Sequence, residues 1–216
     1  MPDPLMIRKE NTGMNIKTDL SAAILVGRST RMGRDKALLV FNRQTFIEHL
    51  IRELSGCREV FITSVIKTEY PDYGLKTVPD EIPDFGPVEG IRQALRHAET
   101  ENVFICAYDM PFVRREMIEY LAEFVCVDED AWVFRDEERV HPMCGLYSRR
   151  VLPAAQQMIA EDRHRLMELL SRVRTKYVDI SAGGFGMEVL SNINTPEEYA
   201  ELREKEEFRI KNLRVR

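Results

Sequence analysis

The feature that most constrains this chain is an apolar run, Ala22 to Val26, that leads directly into a glycine-containing loop rich in cations. The run has the length and branching of a buried parallel strand, and open α/β sheets bind ligands just beyond the carboxyl ends of such strands. Glycine lets several backbone N–H groups approach one anion closely. The segment therefore predicts a binding loop for a nucleoside triphosphate, formed by Leu25, Val26, Gly27, Arg28, Ser29, Arg31, Gly33 and Lys36.

The spacing of this loop excludes two common phosphate-binding motifs. It has neither the Gly-Lys-Ser/Thr ending of a Walker A loop nor the Gly-x-Gly-x-x-Gly of dinucleotide-binding folds. A surface turn whose arginines are simply solvated remains the alternative interpretation of the loop taken alone.

Strands and helices alternate along most of the chain, which predicts an open, mostly parallel sheet with helices on both faces, a Rossmann-like α/β fold. Strands are predicted at 22–26, 60–63, 75–78, 103–107, 131–134, 143–147 and 177–180, and helices at 44–55, 87–97, 114–125, 151–160, 164–173 and from 197 onward. Right-handed crossovers would place the loops after Val26, Val78 and Ala107 at one edge. Residues 1–19 lack apolar periodicity and predict a loose extension before a single domain over 20–216.

Four segments, in order along the chain, resemble one family of enzymes. Gly27 to Leu38 reads Gly-x-Ser-x-Arg-Met-Gly-x-Asp-Lys-Ala-Leu and closely resembles the N-terminal signature of the molybdenum cofactor guanylyltransferases, the MobA family of nucleotidyltransferases. Asp80 to Ile91, Phe104 to Val113 and Asn192 to Glu198 resemble its later segments. Two departures bear on nucleotide affinity and base selectivity: Val26 replaces a usual glycine, and Thr63 or Ser64 replaces a frequent asparagine.

The resemblance implies the fold of the nucleotide-diphospho-sugar transferases and a specific reaction. GMP would be transferred from GTP to the phosphate of molybdopterin-bound molybdenum cofactor, with Mg²⁺ as cofactor and pyrophosphate as product. The implied partners are GTP, molybdopterin, and an acceptor molybdoenzyme or its chaperone. Arg31, Lys36 and Asp109 would be catalytic, and Asp80 would contact the nucleoside unless it is only a turn aspartate.

Asp109 follows a predicted buried strand, where its carboxylate is a hard oxygen ligand suited to Mg²⁺. The alternative is that Asp109 caps the following helix. Asn194 is expected to complete the metal site through its amide oxygen, and Asn192 to orient the acceptor. Read alone, this segment also indicates a helix start, with Thr195 as the N-cap and Pro196 at the first helical position.

His141 to Tyr147 resembles the family's stretch that faces the pterin, and the resemblance implies seven residues that bind the acceptor. Pro142 and Gly145 interrupt a predicted strand, which indicates a β-bulge or a close backbone approach to a ligand. A core strand interrupted by chance is the competing interpretation. The expected acceptor-binding residues are Gly86, Pro87, Gly90, His141, Gly145, Asn192 and Asn194.

Composition narrows the functional classes. A net charge of −5 argues against non-specific binding to nucleic acid. No apolar stretch is long enough to span a membrane and the N-terminus lacks a signal-peptide core, so a cytoplasmic location is expected. The four cysteines form no Cys-x-x-Cys pair and are expected to be reduced core thiols.

Two alternative functions remain open from the sequence. The first is a CTP-dependent molybdenum cofactor cytidylyltransferase, although Asp35 before Lys36 and Met110 after Asp109 favour the guanylyl branch by resemblance. The second is a non-catalytic carrier that binds nucleotide or cofactor, which Val26 favours and the retained Arg31, Lys36, Asp109 and Asn194 disfavour.

Overall fold

The computed structural model describes residues 13–27, 36–64 and 73–213, and within them a seven-stranded sheet carries the fold. The strands of the chain are β1 (Leu20–Val26), β2 (Val40–Phe41), β3 (Gln44–Thr45), β4 (Glu59–Ser64), β5 (Lys76–Pro79), β6 (Asn102–Ala107), β7 (Ala131–Arg135), β8 (Val140–Ser148) and β9 (Thr175–Asp179). The helices are α1 (Ile16–Asp19), α2 (Phe46–Leu54), α3 (Pro87–His97), α4 (Arg115–Ala122), α5 (Leu152–Ala160), α6 (Leu166–Ser171) and α7 (Pro196–Leu213).

The large sheet has the order β5-β4-β1-β6-β8-β7-β9 and is mostly parallel. β1 pairs in parallel with β4 and β6, and all seven of its residues are buried. β8 is the exception, because it runs antiparallel to both β6 and β7. The short strands β2 and β3 form a separate antiparallel hairpin. The predicted Rossmann-like, mostly parallel α/β fold is therefore confirmed.

Helices cover both faces of the sheet, as the alternating pattern predicts. Ile24 and Phe104 face one buried cluster together with Leu50 of α2 and Met117 of α4. Their sequence neighbours face a second cluster built with α3, α5 and α6, because successive residues of a strand point to opposite faces. Burial of apolar surface stabilises both layers, with a free energy of about 25 cal/mol for each Å² removed from water.

Local signals in the sequence explain where the helices that flank the site begin. Thr45 and Glu48 form a capping box at the start of α2, in which each side chain accepts a hydrogen bond from the other residue's backbone N–H. Pro87 occupies the first position of α3, where its missing N–H costs no helical hydrogen bond. Gly86 precedes it with φ of 98°, a value that favours glycine.

Some predicted boundaries and one prediction of disorder need correction. β8 is longer than expected, and α6 ends at Ser171 instead of near residue 173. Residues 13–19, expected to be loose, include the helix α1 with Asn15 as its N-cap, and Ile16 packs against the core. Residues 1–12 lie outside the described residues. Within the described residues no helix combines the length and apolarity needed to cross a membrane.

Candidate active site

The loops that follow three parallel strands meet at one edge of the sheet, as the crossover rule predicts. Tyr108, just beyond β6, donates its backbone N–H to the carbonyl of Leu25 in β1 at 3.1 Å. Asp80, just beyond β5, donates its N–H to the carbonyl of Ser64 at the end of β4 at 2.9 Å. The backbone itself therefore ties the ends of neighbouring strands together and places Asp80 and Asp109 at the same edge.

A polar cluster of the buried Lys36 and Asp109 with the partly buried Asn192 and Asn194 lies at this edge. The Lys36 Nζ is 3.2 Å from Asp109 Oδ2 and donates to Asn194 Oδ1 at 2.8 Å. Asn192 Nδ2 donates to Asp109 Oδ1 at 2.9 Å. Lys36 and Asp109 are each only 7% exposed, so their charges lie in a poorly hydrated site where they interact more strongly than in water.

The chain near α7 holds the two asparagines of this cluster in place. Thr195 and Glu198 form reciprocal hydrogen bonds at the start of α7, as the predicted N-cap requires. Ile193, between the asparagines, donates its N–H to the carbonyl of Asp109 at 2.9 Å. Helix initiation and placement of Asn192 and Asn194 thus coexist. The alternative role of Asp109 as a helix cap is wrong, because α4 begins at Arg115 with Arg114 as its N-cap.

A first cavity, which we call the strand-end pocket, has a volume of about 280 Å³ and lies between the strand ends and the start of α3. Thr63 and Asp80 line it, and their buried Oγ1 and Oδ1 atoms have no hydrogen-bond partner among the described residues. Buried polar atoms are normally paired, so these two are prepared to accept or donate hydrogen bonds to a ligand. Other residues that line it include Leu25, Val26, Gly27, Gly86, Pro87 and Gly90.

The carboxyl group of Asp80 has an unusual electrostatic environment. Burial, together with the nearby negative charge of Glu89, raises its pKa to about 7, and Arg92 partly offsets this rise. Asp80 consequently changes charge near neutral pH, unlike an exposed aspartate, whose pKa is about 3.9.

A second and larger cavity, the outer groove, has a volume of about 960 Å³ and opens beyond β8 and the chain before α7. His141 Nε2 pairs with Asp136 Oδ2 at 2.7 Å, and this contact holds the pKa of Asp136 down at about 2. Phe41 and Phe112 pack edge to face with ring centroids 5.6 Å apart. Asn192 lines both the outer groove and the strand-end pocket, so the two cavities meet at the polar cluster.

The structure divides the expected acceptor residues between the two cavities. His141, Asn192 and Asn194 line the outer groove. Gly86, Pro87 and Gly90 line the strand-end pocket beside Asp80, together with Asn192. Of the expected triphosphate loop, Arg28, Ser29, Arg31 and Gly33 lie outside the described residues.

Gly145 is a further correction, because it contributes to neither the described lining of the pocket nor that of the groove. A Cβ atom at this position would lie 2.8 Å from both the carbonyl oxygen of Trp132 and Cγ1 of Val133. The register between β7 and β8 shifts just after Val133. The glycine therefore serves close strand packing beside a bulge, and the bulge interpretation of this segment is confirmed.

Sequence reasoning missed the walls of the outer groove. Phe41 lies in the β2–β3 hairpin, outside any recognised motif, and Phe112 lies in the loop after β6, within the segment Phe104 to Val113 but with no role assigned to it there. Asp136 reaches His141 only because β7 pairs with β8 around the bulge. A pattern of residues along the chain carries no signal for such contacts, because they depend on strand pairing.

The donor atoms limit how a metal would be held. Among the described residues no group of three or more His, Cys, Asp and Glu side chains is arranged to bind a metal ion. Asp109 and Asn194 offer two hard oxygens that converge on the Lys36 ammonium. Mg²⁺ commonly binds through one or two carboxylates, with substrate phosphates and water completing its coordination. The cluster fits a magnesium ion brought together with a phosphate substrate.

Comparison with known proteins now identifies the family. The model of the MobA-like NTP transferase domain matches residues 22–177. The chain belongs to this family. It is accordingly a nucleotidyltransferase, and its mostly parallel seven-stranded sheet with helices matches the nucleotide-diphospho-sugar transferase fold.

Curated relatives and solved structures agree with this assignment. A probable molybdenum cofactor guanylyltransferase from Flavobacterium johnsoniae is 32% identical over 82% of this chain and 92% of its own length. The molybdenum cofactor guanylyltransferase of Vibrio parahaemolyticus is 32% identical over 88% of this chain and 97% of its own length. Molybdopterin-guanine dinucleotide biosynthesis protein A from Archaeoglobus fulgidus has the same fold, with a TM-score of 0.75, 24% identity and coverage of 88% of this chain and 99% of its own.

Proposed function

We propose that the protein transfers GMP from GTP to the phosphate of molybdopterin-bound molybdenum cofactor, giving the guanine dinucleotide cofactor and pyrophosphate. The observation that carries the proposal is the position of Asn192, which lines both cavities and donates a hydrogen bond to Asp109. A transferase must bring two substrates to one reacting centre, and here two cavities meet at one charged cluster. The names of the relatives support the identities of the two substrates.

Each cavity suits one of the two substrates. The strand-end pocket is the smaller and has the two unpaired polar atoms, so we assign it to the nucleoside of GTP. The outer groove is larger and has the aromatic pair Phe41 and Phe112 in its wall, which suits the fused rings of a pterin. The phosphates of both substrates would then meet beside Lys36 and Asp109.

Transfer requires a phosphate oxygen of the acceptor to attack the α-phosphorus of GTP. A new P–O bond forms as the bond to pyrophosphate breaks, and every reacting group is anionic. The task of the protein is therefore positioning and charge stabilisation, with no protein nucleophile. Lys36 supplies a positive charge at the junction, and Arg31 is assigned a similar role from the family resemblance alone.

Mg²⁺ is the cofactor that we propose, with Asp109 and Asn194 as the protein ligands. When bound, the ion supplies polarisation of phosphate oxygens. The two protein oxygens already share one cationic partner, the Lys36 ammonium, at 3.2 and 2.8 Å. Lys36 would exchange these contacts for contacts with the substrate phosphates, while Asn192 keeps the Asp109 carboxylate oriented through Oδ1.

The base preference rests on the polar atoms of the strand-end pocket. Guanine presents an N1–H and an exocyclic amine, and an ionised Asp80 can accept a hydrogen bond from each of them. The Thr63 hydroxyl can donate a hydrogen bond to the ring or accept one from it. We expect GTP to be preferred over CTP and ATP by at least about tenfold, which requires only about 1.4 kcal/mol. The CTP-dependent cytidylyltransferase is the nearest alternative, and comparable use of CTP would favour it.

A non-catalytic carrier of nucleotide or cofactor is the second candidate. Val26 favours it, because this buried side chain lines the strand-end pocket where the family usually has glycine. A carrier, however, has no need for a carboxylate and an ammonium group buried together where two binding cavities meet.

The decisive experiment measures pyrophosphate release by the purified protein with GTP, molybdopterin carrying molybdenum, and Mg²⁺. Release should require all three, and omission of any one should abolish it. Asp130→Asn is a suitable control variant, since Asp130 is a buried carboxylate held by Arg150 and Arg174 away from both cavities. Tight GTP binding without any pyrophosphate release would support the carrier and contradict the transferase.

A further inference from the structure

Glu89 is a charged residue with no solvent exposure, located in the first turn of α3. A buried carboxylate is costly unless its oxygens are fully hydrogen-bonded. Two partners come from α3 itself: Arg92, through Nε and Nη2 at 2.7 Å each, and Gln93, through Nε2 at 2.7 Å. The other two are backbone N–H groups outside the helix, those of Glu81 at 2.8 Å and Ile82 at 3.3 Å.

The contacts between Glu81, Glu89, Arg92 and Arg96 form what we call the α3 clamp. Arg92 Nη2 also donates to Glu81 Oε2 at 2.9 Å, and Arg96 Nη1 donates to Glu81 Oε1 at 2.7 Å. The backbone of Glu81 is thus held by Glu89, and its side chain is held by the two arginines. The loop after β5 cannot shift from α3 without breaking several charge-assisted hydrogen bonds.

Asp80 lies directly between the α3 clamp and the end of β4. Its N–H donates to the carbonyl of Ser64 at 2.9 Å, and the N–H of the next residue, Glu81, donates to the Glu89 carboxylate. Its Oδ1 is buried, has no hydrogen-bond partner among the described residues, and belongs to a residue that lines the strand-end pocket. The loop is therefore fixed on both sides of Asp80, whose Oδ1 is left to bind a ligand.

A purely structural role for Glu89 would leave part of this arrangement unexplained. A glutamate near a helix N-terminus is favourable on its own, because it interacts with the helix dipole. That role requires no burial and no contact with the preceding loop. The loop contacts of Glu89 instead link the helix to the residue next to Asp80.

We propose that Glu89 is a positioning residue for nucleotide binding, which holds the loop so that the Asp80 carboxylate points into the strand-end pocket. The inference rests on the proposed function only for the identity of the nucleotide. Glu89 also places a negative charge near Asp80. Arg92 of α3 is the other charged group that acts on Asp80, Glu81 is its neighbour in the chain, and Asp109 lines the same pocket.

The test is direct binding of GTP by calorimetry, with Glu89→Gln as the main variant. We expect the dissociation constant to rise about tenfold, equivalent to about 1.4 kcal/mol. The kcat at saturating GTP should stay near the wild-type value, because Glu89 does not contact the reacting groups. Asp130→Asn removes a comparable buried carboxylate elsewhere and should leave GTP affinity unchanged.

The pH dependence of binding provides a readout that a merely structural role would not move. In the wild type, GTP affinity should change with a midpoint near pH 7 as Asp80 loses its proton. Glu89→Gln removes a like charge, which lowers the pKa of Asp80 and shifts this midpoint to lower pH. Glu89→Asp keeps the charge but shortens the reach, so it should weaken binding with little shift of the midpoint.

A double-mutant cycle with Asp80→Asn separates positioning from an independent effect. If Glu89 acts through Asp80, the loss caused by Glu89→Gln should largely disappear in the Asp80→Asn background. Full additivity, or unchanged affinity in both Glu89 variants, would overturn the inference. If Glu89→Gln does not fold, Glu89→Asp decides by the same criterion.

A wild type that binds CTP instead of GTP refutes the proposed function, and the Glu89 variants are then tested with CTP. A wild type that binds neither nucleotide overturns both the proposed function and the role of Glu89.

Discussion

The strand-end pocket and the outer groove meet at one cluster but are built in opposite ways. The pocket lies at the ends of parallel strands and keeps two buried polar atoms, Thr63 Oγ1 and Asp80 Oδ1, without partners among the described residues. In the groove, His141 pairs with Asp136, and Asn194 accepts from Lys36. The pocket is thus arranged for hydrogen bonding to a ligand, whereas the groove offers volume and side chains that already hold one another.

The largest effect is expected from a substitution at the junction that both cavities share. Asp109→Asn removes the charge of the proposed metal ligand, and one such contact is worth several kcal/mol in the transition state. We expect kcat to fall about a hundredfold or more, which corresponds to at least about 2.7 kcal/mol. Steady-state kinetics at saturating Mg²⁺, with both substrates saturating, will measure this fall in kcat.

The control for this variant is again Asp130→Asn, which should retain normal turnover. Asp109→Asn should still fold, because an asparagine oxygen can accept the hydrogen bond from Asn192. It leaves Lys36 without its carboxylate partner, so a lower melting temperature is expected. Near-normal turnover by Asp109→Asn would remove this residue from the metal site and leave the two cavities without a common reacting centre.

The second prediction isolates the strand-end pocket. Asp80→Asn should weaken GTP binding about tenfold at pH 8 and leave the KM for the acceptor unchanged. An amide cannot accept from both donors of guanine and does not titrate, so the dependence of GTP affinity on pH near 7 should vanish. Calorimetry across pH 6 to 8 checks both effects. Equal losses of GTP and acceptor affinity would show that Asp80 does not belong to the pocket alone.

The raised pKa of Asp80 also predicts a change in folding stability with pH. Its folded value is about 7, above the value of 3.8 for an unperturbed aspartate, so the folded state holds a proton that the unfolded state releases. This contribution to stability is present below about pH 4 and is lost as pH rises through 7. The melting temperature of the wild type should therefore decline over this interval relative to Asp80→Asn. A constant difference between the two would contradict the assigned pKa.

The pocket was more accessible to sequence reasoning than the groove. Val26 ends a predicted parallel strand and Asp80 and Asp109 follow two others, and crossover handedness alone places such residues at one edge. The convergence of Lys36 with Asn194 was not derivable in this way, since it joins segments far apart in the chain. The groove depends on β8, whose antiparallel direction the alternating pattern does not reveal, although Pro142 and Gly145 indicate its irregular pairing. The sequence pattern therefore does not mark Phe41 and Phe112 as residues of the groove wall.

The third prediction isolates the outer groove. His141→Ala removes the contact with Asp136 and alters a residue of the groove wall. We expect the KM for molybdopterin to rise about threefold to tenfold, which is less than the effect at Asp80 because the histidine is already partnered. The dissociation constant for GTP should not change. A loss of GTP affinity without any change in acceptor KM would reverse the assignment of the two cavities.

The smallest functional effect is expected at Gly145, which tests whether the interrupted strand belongs to the groove or only to the sheet. In Gly145→Ala the new Cβ would crowd the carbonyl of Trp132 and the side chain of Val133, both at 2.8 Å. Such overpacking costs about 1–3 kcal/mol, so the melting temperature should fall by several degrees while affinity for both substrates is retained. Gly56→Ala is the matched control, because its Cβ would meet only the movable guanidinium of Arg115, at 2.9 Å, and should destabilise less. If Gly145→Ala instead loses molybdopterin affinity at an unchanged melting temperature, the backbone of β8 contacts the acceptor and the groove extends into the sheet.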